Sequence, residues 1–311
     1  MDKAARKRIK YKLLKNFVVV LLHTASWTPR KVWLALCGSL GQVAWALFGS
    51  QRALTEEHLT LAYGSEKSAG EIRKLARQVF RGLGRNAGWV LRNARSSRER
   101  FEKESIRHGE HYADEAFKSG RGVIFLTAHL GPFECLAHEF ALRGYQPFIV
   151  GTRLKDPVLN DMLTASREKF GAVSIERGKE TYRTMKHLRS GGSMAILIDQ
   201  DTVVKSVFVD FFGKSCATPV GATLIALKTG AAVIPVFSHL NSDGFLEINY
   251  YPEVRLERTG NEEEDLVVNT QILTTIIENE IRKHPEQWVW LHKRWKTRPV
   301  TNDEFTTDAP A

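Results

Sequence analysis

Residues 122–134 read GVIFLTAHLGPFE. Val123 to Thr127 form a short apolar run containing β-branched residues, opened by a glycine and closed by a polar segment. That pattern predicts a strand buried on both faces. Three more runs of the same kind follow: YQPFIVGT (145–152), SMAILIDQD (193–201) and AAVIPVFS (231–238). Segments of helical length separate them, at 132–143, 156–170, 178–190 and 218–229. Strands alternating with helices predict an α/β fold with a mostly parallel central sheet flanked by helices. SVFVDFF (206–212) and FLEINYYPEV (245–254) alternate more and predict antiparallel additions.

Upstream, the chain reads as helical. Ser68 with Glu71 three residues on makes a capping box. Ile72, Leu75, Ala76, Val79, Phe80 and Leu83 then recur at helical spacing. A last helix is expected over 262–284, stopped by Pro285. The organisation expected is a basic, apolar, helical membrane-anchor region over 1–50, an α/β domain over 51–300 and a polar tail over 301–311.

The N-terminus supports that division. MDKAARKRIKYKLLK carries seven Lys/Arg and one acid, and residues 32–49, VWLALCGSLGQVAWALFG, hold no formal charge. A helical span needs ~20 apolar residues, so this run predicts either a span or an element lying in the interface. The basic flank would face the cytoplasm. The long basic region and the lack of an A-x-A-like site argue against a cleaved signal peptide.

The chain has 311 residues and a formal net charge of +10. Such an excess favours an anionic partner: nucleic acid, an anionic membrane surface or an acidic carrier protein. Three widely spaced cysteines and no CxxC pair argue against a disulfide framework or a zinc knuckle. Trp290 and Trp295 in a basic segment could stack on bases, but Trp with Lys and Arg equally suits a membrane interface or an acidic carrier.

Within TAHLGPFE, His129 follows the strand at its carboxyl end, the edge where open α/β sheets bind ligands. Proline at the start of a helix puts Glu134 in the first turn, where the helix N-terminus favours an ionised carboxylate. A carboxylate beside an imidazole fixes its tautomer and stabilises the imidazolium. His129 is thus the candidate general base and Glu134 its candidate orienter. An H-x4-E pair is nevertheless common, and two polar residues near a strand end also serve as plain surface or capping groups.

No G-x-S-x-G is present, and Ser193 in GGSMA does not fit a nucleophile elbow. Cys135 reads as a packed helical residue. Direct attack by a bound hydroxyl therefore fits better than a covalent acyl-enzyme. His129, Glu134 and His138 do not make H-E-x-x-H, so no metal and no cofactor are expected.

AHLGPFE resembles the H-x4-D/E block of the glycerolipid and lysophospholipid acyltransferase superfamily. The stretch from Leu197 to Phe237, containing LIDQD, VFVDFFGKSCATP and TGAAVIPVF, is similar to the bacterial lipid A biosynthesis (late) acyltransferases, as is HPEQWVWLHKRWKTRP at 284–299. The likeness runs to about residue 299. It implies an enzyme of lipid A and lipopolysaccharide biosynthesis at the bacterial inner membrane, its active site facing the cytoplasm. It would move a fatty acyl chain from acyl carrier protein or coenzyme A to a hydroxyl of a lipid A precursor or related membrane glycolipid, with no nucleic-acid partner. It also implies His129 as base, Glu134 as its orienter, and Arg153, Arg167, Asp199, Gln200 and Asp201 as substrate-binding residues. Arginines suit phosphate, though a salt-bridged helix face with Asp156, Asp161 and Glu168 would explain Arg167 as well.

Two departures concern the acceptor. Pro132 and Phe133 stand where the family usually has Asn-Trp, and Thr152, Arg153 and Leu154 where it has Tyr-Arg-Pro. A lysophospholipid acceptor, or hydrolysis of a thioester or lipid ester by the same pair, is the alternative chemistry. A non-enzymatic membrane-binding protein is the third reading.

Overall fold

The computed structural model describes residues 3–299, with side chains at position 11 and from 14 onward. The basic side chains of the first 13 residues, and the expected tail at 301–311, lie outside the described residues. Four helices lead: α1 (Lys3–Trp27), α2 (Arg30–Leu47), α3 (Gly49–Tyr63) and α4 (Ala69–Asn93). Then come α5 (Arg98–Glu104), β1 (Ser105–His108), α6 (Glu110–Lys118), β2 (Val123–Thr127), α7 (Leu136–Leu142), β3 (Pro147–Gly151) and α8 (Pro157–Arg167). The chain continues through β4 (Val173–Glu176), α9 (Thr181–Arg189), β5 (Ser193–Leu197), β6 (Ser206–Phe211), β7 (Lys214–Pro219) and α10 (Gly221–Thr229). It closes with β8 (Ala232–Leu240), β9 (Leu246–Tyr250) and α11 (Glu262–Lys283).

The central sheet has the order β1-β9-β8-β2-β5-β3-β4. All neighbours run parallel except β8 and β9. This is the expected α/β sheet, mostly parallel and flanked by helices. Its central strands are buried throughout, as in VIFLT of β2, because helices cover both faces. Ile124 and Leu126 feed one apolar cluster, Val123 and Phe125 the other. The expected antiparallel strands are β9, on β8, and β6, which pairs with β7 as a separate hairpin. The strands β1 and β4 carry no clear sequence signal. They are the two edges of the sheet, so they are only partly buried and include charged residues such as Arg107 and Glu176.

Helix α4 starts with the expected capping box, Ser68 and Glu71 bonding each other's backbone N–H. Its inner face buries Ile72, Leu75, Ala76, Val79 and Phe80. Its other packed face takes α2 at close range. A Cβ on Gly84 would lie 2.2 Å from the carbonyl oxygen of Cys37, and one on Gly41 would lie 2.1 Å from that of Phe80. The α2 helix therefore buries Trp33, Leu34, Cys37, Gly38 and Gly41 and leaves Val32, Leu36, Leu40, Val43 and Leu47 exposed. Among the described residues no single helix is long and apolar enough to cross a bilayer. The pair α2 and α3, bent by 96° at Phe48, meets that test only by combined length and composition.

Candidate active site

Parallel pairing of β2 with β5 sets Thr127 beside Leu197. Two residues past that pair, on the same side of each chain, stand His129 and Asp199. Asp199 Oδ1 accepts from His129 Nδ1 at 2.8 Å, and Oδ2 accepts from the His129 backbone N–H at 2.8 Å. Trp288 Nε1 donates to the same Oδ2 at 2.8 Å. The Asp199 side chain is wholly buried, whereas that of His129 is 21% exposed. Burial alone would push the Asp199 pKa up. The charge of His129 whenever its ring is protonated, together with the three hydrogen bonds, outweighs it and holds the group down at about 2. An ionised carboxylate can only accept, so in the neutral ring Nδ1 carries the proton and Nε2 keeps its lone pair. Among the described residues Nε2 has no hydrogen-bond partner.

The chain's C-terminal segment ties this loop down. Leu130 and Trp288 form an antiparallel bridge. Gly131 N–H donates to the Gln287 carbonyl at 3.0 Å, and Val289 N–H to that of His129 at 3.2 Å. Gly131 has φ +60°, and a Cβ there would meet the Ser238 carbonyl oxygen at 2.2 Å; only glycine fits. Phe133 packs edge-on to the imidazole at 4.8 Å between centroids. Helix α7 begins at Leu136, later than expected, because Phe133–Cys135 form a 3₁₀ turn first.

Glu134 lies in that 3₁₀ turn, and its described hydrogen bonds go to Arg167 instead of the imidazole. Arg167 Nε donates to Oε2 at 2.7 Å and Nη2 to Oε1 at 2.6 Å. The carboxylate on Nδ1 of His129 is thus Asp199, which the family resemblance implied as a substrate-binding residue, and not Glu134. The H-x4-E spacing misleads because the turn between them carries the Glu134 carboxylate toward α8. Arg167 is also not tied to the acids of its own helix. Asp156 instead caps α8, accepting from Val158 N–H at 2.9 Å and Leu159 N–H at 3.2 Å. Gly151 leaves room for the guanidinium, since a Cβ there would lie 2.8 Å from it.

Arg153 is exposed in the loop after β3. It shares a cleft of about 220 Å³ with Arg167, Thr152 and Asn160. Asp201 accepts from Thr297, N–H at 2.7 Å and Oγ1 at 3.1 Å, so it anchors the C-terminal segment. Gln200 is half-buried and its side chain makes no hydrogen bond among the described residues.

Sequence reading missed Trp288 and His292. The segment HPEQWVWLHKRW was singled out, but for Trp290, which is fully buried with Nε1 donating to the Pro285 carbonyl, and for Trp295, which is half-buried. His292 Nε2 bonds the Asp201 carbonyl at 3.2 Å, and burial draws its pKa below the ordinary range. An apolar pocket of about 210 Å³ is lined by Ile196, Leu197, Val204, Gly221, Leu224 and Ile225. Leu197, in its wall, stands two residues before Asp199 in the chain. A candidate metal grouping elsewhere, His239 with Glu280 and His284, has ligand atoms within 4.8 Å of one another and takes no part in this site.

A buried carboxylate on Nδ1, a free Nε2 and an apolar pocket with Leu197 in its wall suit proton abstraction next to a hydrocarbon chain. The family model described as bacterial lipid A biosynthesis acyltransferase matches residues 2–297. The chain belongs to the bacterial lipid A biosynthesis acyltransferase family. The acyltransferase is 26% identical to the lipid A biosynthesis lauroyltransferase of Escherichia coli K12, over 92% of this chain and 97% of that one. It is 26% identical to a lipid A biosynthesis acyltransferase of Haemophilus influenzae over 67% of this chain, spanning 64% of that relative's length. It is 27% identical to the phosphatidylinositol mannoside acyltransferase of Mycolicibacterium smegmatis, over 65% of this chain and 69% of that one. The family expected from the motif blocks is therefore the family found. The acceptors named for these relatives differ, so membership carries acyl transfer to a lipid further than it carries one acceptor.

Proposed function

We propose that this acyltransferase moves a fatty acyl chain from an acyl thioester, on acyl carrier protein or coenzyme A, to a hydroxyl of a lipid A precursor or related membrane glycolipid. The observation that carries the reading is the His129–Asp199 pair, with Asp199 anchored by Trp288 and Nε2 left free. His129 Nε2 takes the proton of the acceptor hydroxyl as its oxygen attacks the thioester carbonyl. The carbonyl electron pair moves onto oxygen. Collapse of the tetrahedral adduct breaks the C–S bond, and the imidazolium returns the proton to the departing sulfur. Asp199 stabilises the imidazolium between these transfers. Asp199 takes over the orienting role expected of Glu134; Glu134 holds Arg167, which with Arg153 meets an anionic part of a substrate. The pocket walled by Leu197 receives the acyl chain.

The exposed face of α2, Val32, Leu36, Leu40, Val43 and Leu47, seats the protein on the inner membrane. The basic N-terminus lies against the anionic cytoplasmic surface, so the active site faces the cytoplasm and its thioester donor. The test is to incubate the purified protein with radiolabelled acyl thioester and a membrane glycolipid extract, followed by mass spectrometry. Label fixed on one lipid class supports the reading. Release of free fatty acid with no labelled lipid would establish the hydrolase instead, and no turnover at all would favour a non-enzymatic membrane protein.

A further inference from the structure

Away from the catalytic site, β8 and the end of α11 bring three ligand-type side chains together. His239 lies on β8, Glu280 in the last turn of α11 and His284 just past that helix. Each offers one donor atom, and the three atoms lie within 4.8 Å of one another. His239 is 6% and Glu280 2% exposed. A buried carboxylate normally has both oxygens bonded or faces a cation. Glu280 Oε2 meets that rule, accepting from Tyr251 Oη and Lys283 Nζ, each at 2.7 Å. Glu280 Oε1 does not: it is buried and has no hydrogen-bond partner among the described residues.

The His239 ring already has the outer partner that metal-bound histidines use. Its Nε2 stands 3.3 Å from Glu247 Oε2. A carboxylate on one ring nitrogen orients the other toward a metal and raises its basicity. That other nitrogen, Nδ1, has only a 3.5 Å contact with Asn249 Nδ2, longer than an ordinary hydrogen bond. The His284 ring makes no hydrogen bond among the described residues. It stacks on His239 at 3.7 Å between centroids, with 18° between the planes. Zinc bonds of about 2.0–2.1 Å place tetrahedral donors roughly 3.4 Å apart. Closing to that from 4.8 Å requires the His284 ring to turn out of the stack, because stacked rings aim their lone pairs side by side. His284 is half-buried and lies beyond the last turn of α11, so the turn gives up the stack but no hydrogen bond of that ring.

We infer that His239, Glu280 and His284 bind one Zn²⁺ ion, which staples β8 to the end of α11. Two imidazoles and a carboxylate are a set that zinc takes, with a fourth position filled from solvent. Mg²⁺ and Ca²⁺ prefer oxygen donors throughout. His239 and His284 line a cavity of about 600 Å³, which supplies the entry path and the fourth ligand. Arg81 and Arg85 in its wall act against a cation and Glu286 for it. At the site itself two carboxylates, Glu247 and Glu280, stand against one ammonium, Lys283, which leaves negative charge for a dication. The staple bears on the catalytic loop. Gln287 accepts from Leu240 N–H and donates to the Leu240 carbonyl, both at 2.9 Å. Its own carbonyl accepts from Gly131 N–H at 3.0 Å. The zinc site is independent of the acyl-transfer reading, and its test uses no acyl donor.

The tag-free full chain is treated with chelator, dialysed against micromolar zinc chloride, and measured for bound zinc by elemental mass spectrometry and for thermal stability. One zinc per chain and a raised Tm are expected. His284→Ala should lose about a hundredfold or more in zinc affinity, and Glu247→Gln about 10–100-fold as an outer partner. His111→Ala, at an exposed position of α6, should bind zinc as wild type does. Melts without metal check that each variant folds, and His284→Gln, which keeps polarity and size, is read in the same way if the alanine variant melts early. A wild-type chain that takes up no zinc would overturn the site, as would full zinc affinity in a folded His284 variant. Equal binding of Mg²⁺ would overturn it too, since only the carboxylates would then be ligands. Zinc bound with Tm unchanged would overturn the staple.

Discussion

Asp199 accepts two hydrogen bonds from a single residue, the Nδ1–H and the backbone N–H of His129, each at 2.8 Å. The two contacts fix both the position of the loop and the tautomer of the ring. Replacing Asp199 with Asn keeps the size and one acceptor but removes the charge that stabilises the imidazolium. We expect His129→Ala and Asp199→Asn each to lower kcat roughly 10²–10⁴-fold while circular dichroism stays native. A folded His129→Ala protein with near-normal transfer would sink the base assignment.

Glu134 and Arg167 should behave differently. Their pair is partly exposed, and Glu134→Gln leaves Arg167 with a neutral partner. The expected result is a loss of about 1–3 kcal/mol in stability and a rise in KM for the lipid acceptor, with kcat changed far less than in Asp199→Asn. A kcat defect as deep as that of Asp199→Asn would restore Glu134 as the orienter.

Trp288→Phe removes the indole N–H from Asp199 Oδ2 and keeps most of the ring. One hydrogen bond to a charged group is worth about 1.5–3 kcal/mol. The variant should lose on the order of tenfold in kcat and bind acyl donor normally. Full activity would mean that the C-terminal segment merely packs against the site.

Asp199 also predicts a pH dependence. Its pKa falls from 3.8 unfolded to about 2 in the folded chain, so its contribution of about 2 kcal/mol is complete only from about pH 5 upward and is lost progressively as pH falls through 3.8 and 2. Urea unfolding of wild type and Asp199→Asn at pH 5, 4, 3 and 2.5 should therefore show a gap that shrinks steadily as the pH falls. A gap unchanged over that range would contradict an ionised, hydrogen-bonded Asp199.

The apolar pocket gives a specificity prediction. Gly221 opens α10 inside it, and a Cβ there would stand 3.4 Å from Ile196 Cδ1. Gly221→Leu should fill part of the space. We expect kcat/KM to drop roughly tenfold or more for the longest donor chains and to hold for the shortest, measured with acyl thioesters of graded length. A uniform loss across lengths would place the chain elsewhere.

By itself the sequence determined the central strands, the helices between them, the cap of α4 and the place of His129 at the carboxyl end of a strand. Those features are local: a run of Val, Ile and Phe, a serine three before a glutamate, an imidazole where a strand stops. The edge strands β1 and β4 escaped because partial burial leaves no continuous apolar run. Only the tertiary structure decided which carboxylate faces the imidazole. Asp199 is 70 residues from His129, and they meet because the parallel register of β2 and β5 aligns Thr127 with Leu197. Trp288, 89 residues from Asp199, arrives through a backbone bridge at Leu130. Spacing along the chain favoured Glu134 because it measures only local proximity, whereas hydrogen bonding across a sheet depends on strand order, which no single stretch contains.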